Sequence, residues 1–188
     1  MDSYFDIKAI PNPELLQSAV VGELMQAVHS LLPAFGGRVA VGFPAYGQVN
    51  TLGGIIRLYG MQSDLNDLHA LALEHPGIRN YGLTTPIAAV PDSPKGHAAY
   101  TRLHVKGASH YRRLEKRHKA RGTWTAELAA GIDEKYRQAT HCPHVSLRSH
   151  TTNQRFILFI QQSRRKEARE GEFNAYGLSI DGATVPLF

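Results

Sequence analysis

From Tyr4 to Ile10 the side chains alternate, with Phe5, Ile7 and Ala9 on one side and Tyr4, Asp6 and Lys8 on the other. That period of two predicts a half-buried strand. Asn12 and Pro13 then supply a helix N-cap and a first-turn proline. From Glu14 to about Ala34 the residues Leu16, Val20, Leu24, Val28 and Leu31 recur at helical spacing, and Gly36-Gly37 ends the helix. Val39, Val41 and Phe43 alternate in a second strand that Pro44 stops. After a turn-rich loop through Gly53-Gly54, Ile55 to Met61 forms a third strand. Ser63 is placed to cap a second helix carrying Leu65, Leu68, Leu71 and Ala72, which His75-Pro76-Gly77 closes. Ile78 to Val90 contains a fourth strand, interrupted by Gly82 and Pro86.

The resulting order, β-α-β-β-α-β, is that of the ferredoxin-like, split βαβ arrangement that RNA-recognition modules also use. No aromatic RNP signature accompanies it, so sheet-face reading of RNA is not expected, and the scaffold by itself implies no activity. Pro91-Asp92-Ser93-Pro94-Lys95-Gly96 is linker chemistry and divides the chain into 1–92 and 93–188. Beyond it, Tyr100, Arg102 and His104 alternate with Thr101, Leu103 and Val105 in a strand with one polar face. Ser109 is placed to cap a basic helix, Gly122 to stop it, and Ala126 to Ala139 follows as a weaker helix. Val145–Ser149 and Arg155–Gln161 pair as a hairpin around 150–154, and Phe173–Ser179 and Ala183–Phe188 form two short final strands. The expected fold is therefore α+β: an N-terminal ferredoxin-like (RRM-like) domain, then a C-terminal α/β region with an arginine-rich helix and a β-hairpin.

Charge changes this picture more than bulk composition does. The 188 residues, 43% hydrophobic and 20% charged, are ordinary for a globular protein. A single cysteine, Cys142, leaves no internal disulfide and fits a reducing compartment. The start of the chain is acidic where a signal peptide would be basic, and the apolar run Phe156–Ile160 is far too short to span a bilayer. A soluble, cytoplasmic protein with no membrane contact is expected. Six of the 21 basic residues (Arg112, Arg113, Lys116, Arg117, Lys119 and Arg121) lie between His110 and Arg121 with one acid, Glu115, so this segment alone accounts for the net charge of +5. A charge run of this kind is often only a solvated helix face. Like charges one turn apart disfavour a free helix, however, and four arginines to two lysines suit bidentate phosphate or guanine contacts. The balance favours a nucleic-acid partner.

Candidate chemistry is sparser. His29 stands five residues after Leu24, roughly 140° off the apolar stripe, on a face shared with Ser18, Gly22 and Met25. By spacing it reads as a solvated surface histidine, although a catalytic one would need the same off-core placement. Arg102 and His104 are equally open to reading base edges or to being an exposed strand face. His141-Cys142-Pro143-His144 has metal-type spacing with no second cluster to complete a tetrahedral site, so no metal is expected. His144-Val145-Ser146 and His150-Thr151-Thr152 each match the short element of two-histidine phosphoesterases, but on one hairpin instead of two halves of a fold. No Walker-type glycine loop and no H-E-x-x-H motif is present.

Several short pieces, in order along nearly the whole chain, resemble the CRISPR-associated repeat endonucleases of type I-F systems. They are Tyr4-Phe5-Asp6-Ile7, His29, Val41-Gly42-Phe43-Pro44, Arg102, Lys106, the run from Arg112 to His118, Leu147-Arg148-Ser149, Thr152, Phe156–Ile160, Tyr176–Ser179 and Val185–Phe188. The resemblance implies cofactor-free, metal-independent cleavage of a CRISPR repeat RNA just 3′ of its hairpin. The adjoining 2′-hydroxyl attacks, leaving a 2′,3′-cyclic phosphate and a 5′-hydroxyl. It implies that His29 removes the 2′-hydroxyl proton, that Ser149 holds the ribose and that Tyr176 orients His29. The basic helix would lie on the hairpin's phosphates, Phe156 would stack on the closing base pair, and Arg102 would read a purine with position 104 beside it. That position holds His104 where the family commonly has glutamine. The resemblance further implies a protein that is a monomer when free, keeps its product and joins the other subunits of a type I-F surveillance complex. A hairpin-binding cap without cleavage is the alternative within the same family.

Overall fold

The structure, a computed structural model, describes residues 1–105, 107–149 and 152–188. The first half forms β1 (Ser3–Ala9), α1 (Gln17–Leu31), β2 (Ala40–Gly42), β3 (Ile55–Gly60), α2 (Gln62–Glu74), α3 (Pro76–Tyr81), β4 (Gly82–Thr84) and β5 (Ala88–Ala89). Its antiparallel sheet has the order β2-β3-β1-β4, with β5 also on β1. The second half forms β6 (Gly96–Leu103), α4 (Ala108–Ala120), α5 (Ala126–Thr140), β7 (His144–Arg148), β8 (Arg155–Arg165) and β9 (Val185–Leu187). Its sheet is also antiparallel, in the order β7-β8-β6-β9. The fold is thus α+β, built on two antiparallel sheets and five α-helices among the described residues.

Several local expectations are corrected, each for an identifiable reason. Asn12 does not cap α1. Its Oδ1 accepts the Glu14 and Leu15 amides at 2.9 and 3.0 Å in an Asx turn, and the helix starts only after an extended, highly exposed Leu16. Met61 and Gly107, not Ser63 and Ser109, occupy the N-cap positions of α2 and α4. His75-Pro76 ends α2 but also begins α3, because proline suits a first helical turn and the His75 Nδ1 accepts the Gly77 amide at 3.1 Å. Ile78 therefore belongs to a helix, and the strand content before Val90 shrinks to β4 and β5. Residues 173–179 form a turn joined by one bridge, Phe173 to Ser179, instead of a strand. β6 ends at Leu103, so His104 lies beyond it, and its supposed polar face is buried at Tyr100, whose ring packs 5.3 Å from that of Phe43.

One hydrophobic core runs through both halves: Phe5, Leu24, Val28 and Leu58 share it with Tyr100, Leu158, Ile160 and Val185. Directional bonds pin the two sheets together. The Tyr59 hydroxyl donates to the Pro186 carbonyl at 2.8 Å, the Tyr100 hydroxyl donates to the Phe43 carbonyl at 3.1 Å, and the Val41 amide donates to the Gly177 carbonyl at 2.8 Å. Burial pushes the Tyr59 and Tyr100 phenols up, so both stay neutral donors.

Among the described residues, one ion pair is taken into this interior. Asp6 and Arg57, cross-strand partners on β1 and β3, meet through two bonds of 2.6 and 2.9 Å with side chains only 9% and 11% exposed. The guanidinium also lies between the rings of Tyr4 and Phe188, at 4.5 and 4.3 Å from their centroids. Removing one partner strands a buried charge, whereas replacing both with apolar residues of similar size does not. Asp6→Leu is therefore expected to cost about 3–5 kcal/mol in urea denaturation. The double replacement Asp6→Leu/Arg57→Met is expected to recover most of that loss, and equal losses in both would contradict this account.

Candidate active site

The site assembles where α1 meets the second sheet. α1 buries two faces. Val20, Leu24, Ala27 and Val28 lie on one side, and Gly22 and Met25 on the face that spacing alone leaves outside the core. The second face is covered by β7. A Cβ on Gly22 would sit 3.0 Å from the Ser146 carbonyl oxygen, so glycine is what allows the strand this close. One turn on, the Gln26 side-chain oxygen accepts the Arg148 amide at 2.8 Å. Helix and strand advance together here, about 6 Å over four helical residues and about 6.6 Å over two strand residues. Past this bond, three helical residues (about 4.5 Å) lead to His29, which shares the Gly22 face to within about 20°, and one strand residue (about 3.3 Å) leads to Ser149.

His29 is therefore not the solvated surface histidine that its spacing suggests. It is half-buried, its ring stacks on that of Tyr176 at 3.9 Å and 15°, and its Nδ1–H donates to the Ala175 carbonyl at 2.8 Å. A carbonyl can only accept, so this bond fixes the proton of the neutral ring on Nδ1 and leaves the lone pair on Nε2. The turn that supplies both contacts is organised by Asn174, whose Oδ1 accepts the amides of Tyr176 and Leu178 at 2.8 and 3.2 Å. Gly177 closes it at φ +69°, packed against Val41. Sequence reading missed Gln26 and Asn174. The Asn-x-x-Gly turn pattern at 174–177 is a usable signal for the second. Nothing in the sequence singles out the first.

Ser149 begins the hairpin turn between β7 and β8. Its amide donates to the Gln154 carbonyl at 2.9 Å, its carbonyl accepts the Asn153 amide at 2.8 Å, and its Oγ accepts the Thr152 amide at 3.3 Å. Asn153 takes the left-handed conformation, φ +54°, that asparagine tolerates. Where β8 begins, the Arg102 guanidinium lies 5.8 Å from the centroid of the Phe156 ring. Phe156 pairs with Leu147 of β7, so Arg102, Phe156 and the Ser149 turn belong to one end of the second sheet. His104 is exposed just past β6. Lys106 and His150 lie outside the described residues.

The basic helix α4 is built differently. Neither α4 nor α5 contributes a described residue to the buried core. The two are joined by the Tyr111–Tyr136 ring contact at 5.0 Å and by a turn at Gly122, φ +67°. Glu115 pairs with Lys119 at 2.7 Å, on the side of the helix that Arg112 shares. A shallow groove between Arg113, Lys116 and Arg117 carries no carboxylate, and Arg121 lies just past the helix end. All six cations of the segment are exposed.

The polar side chains of the His141–His144 cluster are spoken for by the backbone. His141 Nδ1 donates to the Arg137 carbonyl at 2.8 Å, His144 Nδ1 to the Cys142 carbonyl at 3.1 Å, and the Cys142 thiol to the Ile160 carbonyl at 3.0 Å. Burial raises the Cys142 thiol above its ordinary value, which keeps it protonated. Among the described residues no three His, Cys, Asp or Glu side chains gather as a metal site would need, and no helix is long and apolar enough to cross a membrane.

Comparison with known proteins agrees with the family-level reading. Residues 4–188 match the model of the CRISPR-associated protein family Cas_Csy4, and the chain belongs to that family. It is 34% identical over 192 residues to the CRISPR-associated endonuclease Cas6/Csy4 of Escherichia coli (strain UTI89 / UPEC), covering 100% of both chains. It is 35% identical over 193 residues to the CRISPR-associated endonuclease Cas6/Csy4 of Pseudomonas aeruginosa (strain UCBPP-PA14), again covering 100% of both.

The clamp on the 174–177 turn is open to direct test. A Cβ at Gly177 would collide with Val41 Cγ2 and fall 2.9 Å from the Val41 amide nitrogen, on top of the left-handed φ. At Gly47, φ +83°, a Cβ would meet nothing within 4 Å. Gly177→Ala should cost about 2 kcal/mol or more and lower Tm by about 4–8 °C. Gly47→Ala, which carries the φ cost alone, should lower it by clearly less. Equal shifts would mean that the turn is not clamped on β2.

Proposed function

We propose that the protein binds the hairpin of a CRISPR repeat RNA and cuts the strand at the hairpin's 3′ side by attack of the neighbouring 2′-hydroxyl. The observation that carries this reading is the His29 Nδ1–H bond to the Ala175 carbonyl, which makes Nε2 the basic nitrogen of an oriented imidazole. His29 Nε2 takes the proton of the 2′-hydroxyl as O2′ forms its bond to phosphorus. The bond from phosphorus to the 5′-oxygen breaks, giving a 2′,3′-cyclic phosphate and, once that oxygen is protonated, a 5′-hydroxyl. The nucleophile belongs to the substrate, so the protein's contribution is a base and an in-line geometry. Ser149 holds the ribose, and the Tyr176 ring fixes the plane of His29. The stacked pair supports that last assignment.

The RNA hairpin is held by charge and by stacking. In this reading α4 lies along the hairpin's phosphates through Arg113, Lys116 and Arg117, with Arg112, Lys119 and Arg121 at its margins. Phe156 stacks on the base pair that closes the stem, Arg102 reads a purine there, and His104 and Lys106 contact the adjoining nucleotides. We read the first half, 1–92, as a ferredoxin-like domain, which its strand order β2-β3-β1-β4 supports, and 93–188 as the RNA-binding region. The protein acts in the cytoplasm, is a monomer when free, keeps its product and serves as a subunit of a type I-F surveillance complex.

Cleavage of the cognate repeat in EDTA tests the chemistry. Wild type should cut it, and His29→Ala should lose about 10²–10⁴-fold in rate while binding persists. An RNA with 2′-deoxyribose at the scissile position should bind and stay whole. Binding without cleavage by the wild type would instead identify a hairpin cap. The role of α4 is tested separately: Arg113→Ala/Arg117→Ala should weaken hairpin binding and lessen the dependence of log affinity on log salt by about two. An unchanged salt slope would remove α4 from the interface.

A further inference from the structure

A second cationic cleft opens at the far end of β8, between the two sheets. It has a volume of about 240 Å³, and its rim carries Lys95, His97, Arg164 and Arg165, with no Asp or Glu in the lining. Arg57 is at its base, already neutralised by Asp6. The ion pairs among the described residues are Arg38–Asp64, Arg57–Asp6 and Lys119–Glu115, so Lys95, Arg164 and Arg165 face the cleft with no carboxylate at ion-pair distance. Concentrating unpaired cations in a cleft costs stability unless an anion occupies it.

The floor of the cleft is prearranged. The Tyr46 and Tyr100 hydroxyls donate to the Ile160 and Phe43 carbonyls, at 2.8 and 3.1 Å. Gln162 donates its side-chain N–H to the Tyr100 oxygen at 2.8 Å, and its own oxygen accepts Arg164 Nε at 3.4 Å. A buried tyrosine thus sets the glutamine, and the glutamine aims the guanidinium. The phenols have spent their protons on carbonyls, so an anion here is bound by the rim cations.

Size and position identify the ligand. The cleft is smaller than the roughly 300 Å³ at which small-molecule pockets begin, so it takes a phosphate on a passing chain better than a free nucleotide. Leu158 and Ile160 of β8 are buried, so the open face is the opposite one, which runs from Ile157 through Phe159, Gln161 and Ser163 to Arg165 by the period of two, and eight residues of strand span about 26 Å. That equals the rise of about eight stacked nucleotides, or fewer if the strand is drawn out. We propose that this cleft binds backbone phosphates of the single-stranded RNA flanking the hairpin. The inference rests on the hairpin-binding reading above and gives that reading a second point of contact.

The test compares RNAs that carry 2′-deoxyribose at the scissile position, so that they stay whole. The hairpin alone is set against hairpins with a single-stranded flank of about ten nucleotides on the 5′ or the 3′ side, by fluorescence anisotropy at several salt concentrations. For the wild type, one flank should tighten binding by about tenfold and steepen the salt slope by about 1.4, the value for two single-strand phosphates. In Arg164→Ala/Arg165→Ala, and again in Lys95→Ala, that gain should shrink or vanish while hairpin-only affinity stays at the wild-type value. These side chains are exposed, so an unchanged melting temperature will show intact folding. No gain from either flank, or a gain that survives the substitutions, overturns the proposal and leaves hairpin binding standing. Failure of the wild type to bind the bare hairpin overturns both.

Discussion

The close approach of β7 to α1 at Gly22 is the contact on which the site depends. α1 belongs to the first half of the chain and β7 to the second, and the only covalent path between them is more than a hundred residues long. A side chain at position 22 would push the strand outward, because its Cβ would already sit 3.0 Å from a backbone carbonyl. Gln26 then sets the register with one bond from the Arg148 amide, one helical turn before His29 and one residue before Ser149. Packing brings the elements together, and one polar bond decides how they are aligned. A slip of one residue along β7 would turn the side chains of Val145 and Leu147, both buried, toward solvent. The apolar core therefore protects the register as well.

The molecule divides into a region held by its core and a region that is not. His29, Tyr176 and Ser149 hang from elements packed on buried residues, and their contacts are short and directional. α4 has neither advantage: it carries like charges one turn apart and has no fully buried residue among those described. Segments with few buried contacts open at low free-energy cost, so an anionic partner is what would complete α4. The division suits the proposed activity, which would fix reacting atoms to a fraction of an ångström while following a nucleic-acid helix whose contacts are long-range and tolerant of small shifts.

Much of this was legible in the chain. The period of two in β1, the apolar stripe of α1, the basic helix with its glycine stop and the hairpin after Val145 are local patterns, and local patterns survive folding. What escaped was set by distant neighbours. His29 reads as solvated because a helical wheel shows which face is polar but not that a second sheet will cover it. Tyr100 reads as part of a polar strand face because its neighbours Arg102 and His104 are polar, yet its hydroxyl finds a carbonyl 57 residues away and its ring joins the core. Ser63 and Ser109 are good capping residues in poor positions: Met61 and Gly107 sit where the preceding chain turns extended, and backbone conformation outweighs side-chain preference there. The 173–179 segment has strand-like residues but turns at Gly177, whose positive φ takes it out of a strand and whose lack of a side chain lets Val41 lie against it.

The way the proposed base is oriented has a further consequence. Many catalytic histidines are held by a carboxylate, which fixes the tautomer and also stabilises the imidazolium that forms on proton uptake. Here the partner of Nδ1 is a neutral backbone carbonyl. It fixes the tautomer equally well, since a carbonyl can only accept, but contributes a dipole where a carboxylate would bring a full charge. This bond therefore brings no negative charge toward the phosphate that the proposed reaction would place beside Nε2. For a reaction in which the base must take one proton and the phosphate must bear extra charge, a neutral partner avoids that repulsion. It also moves control of the ring from a side chain to a turn, so that Asn174 and Gly177, which shape that turn, decide where Nε2 points.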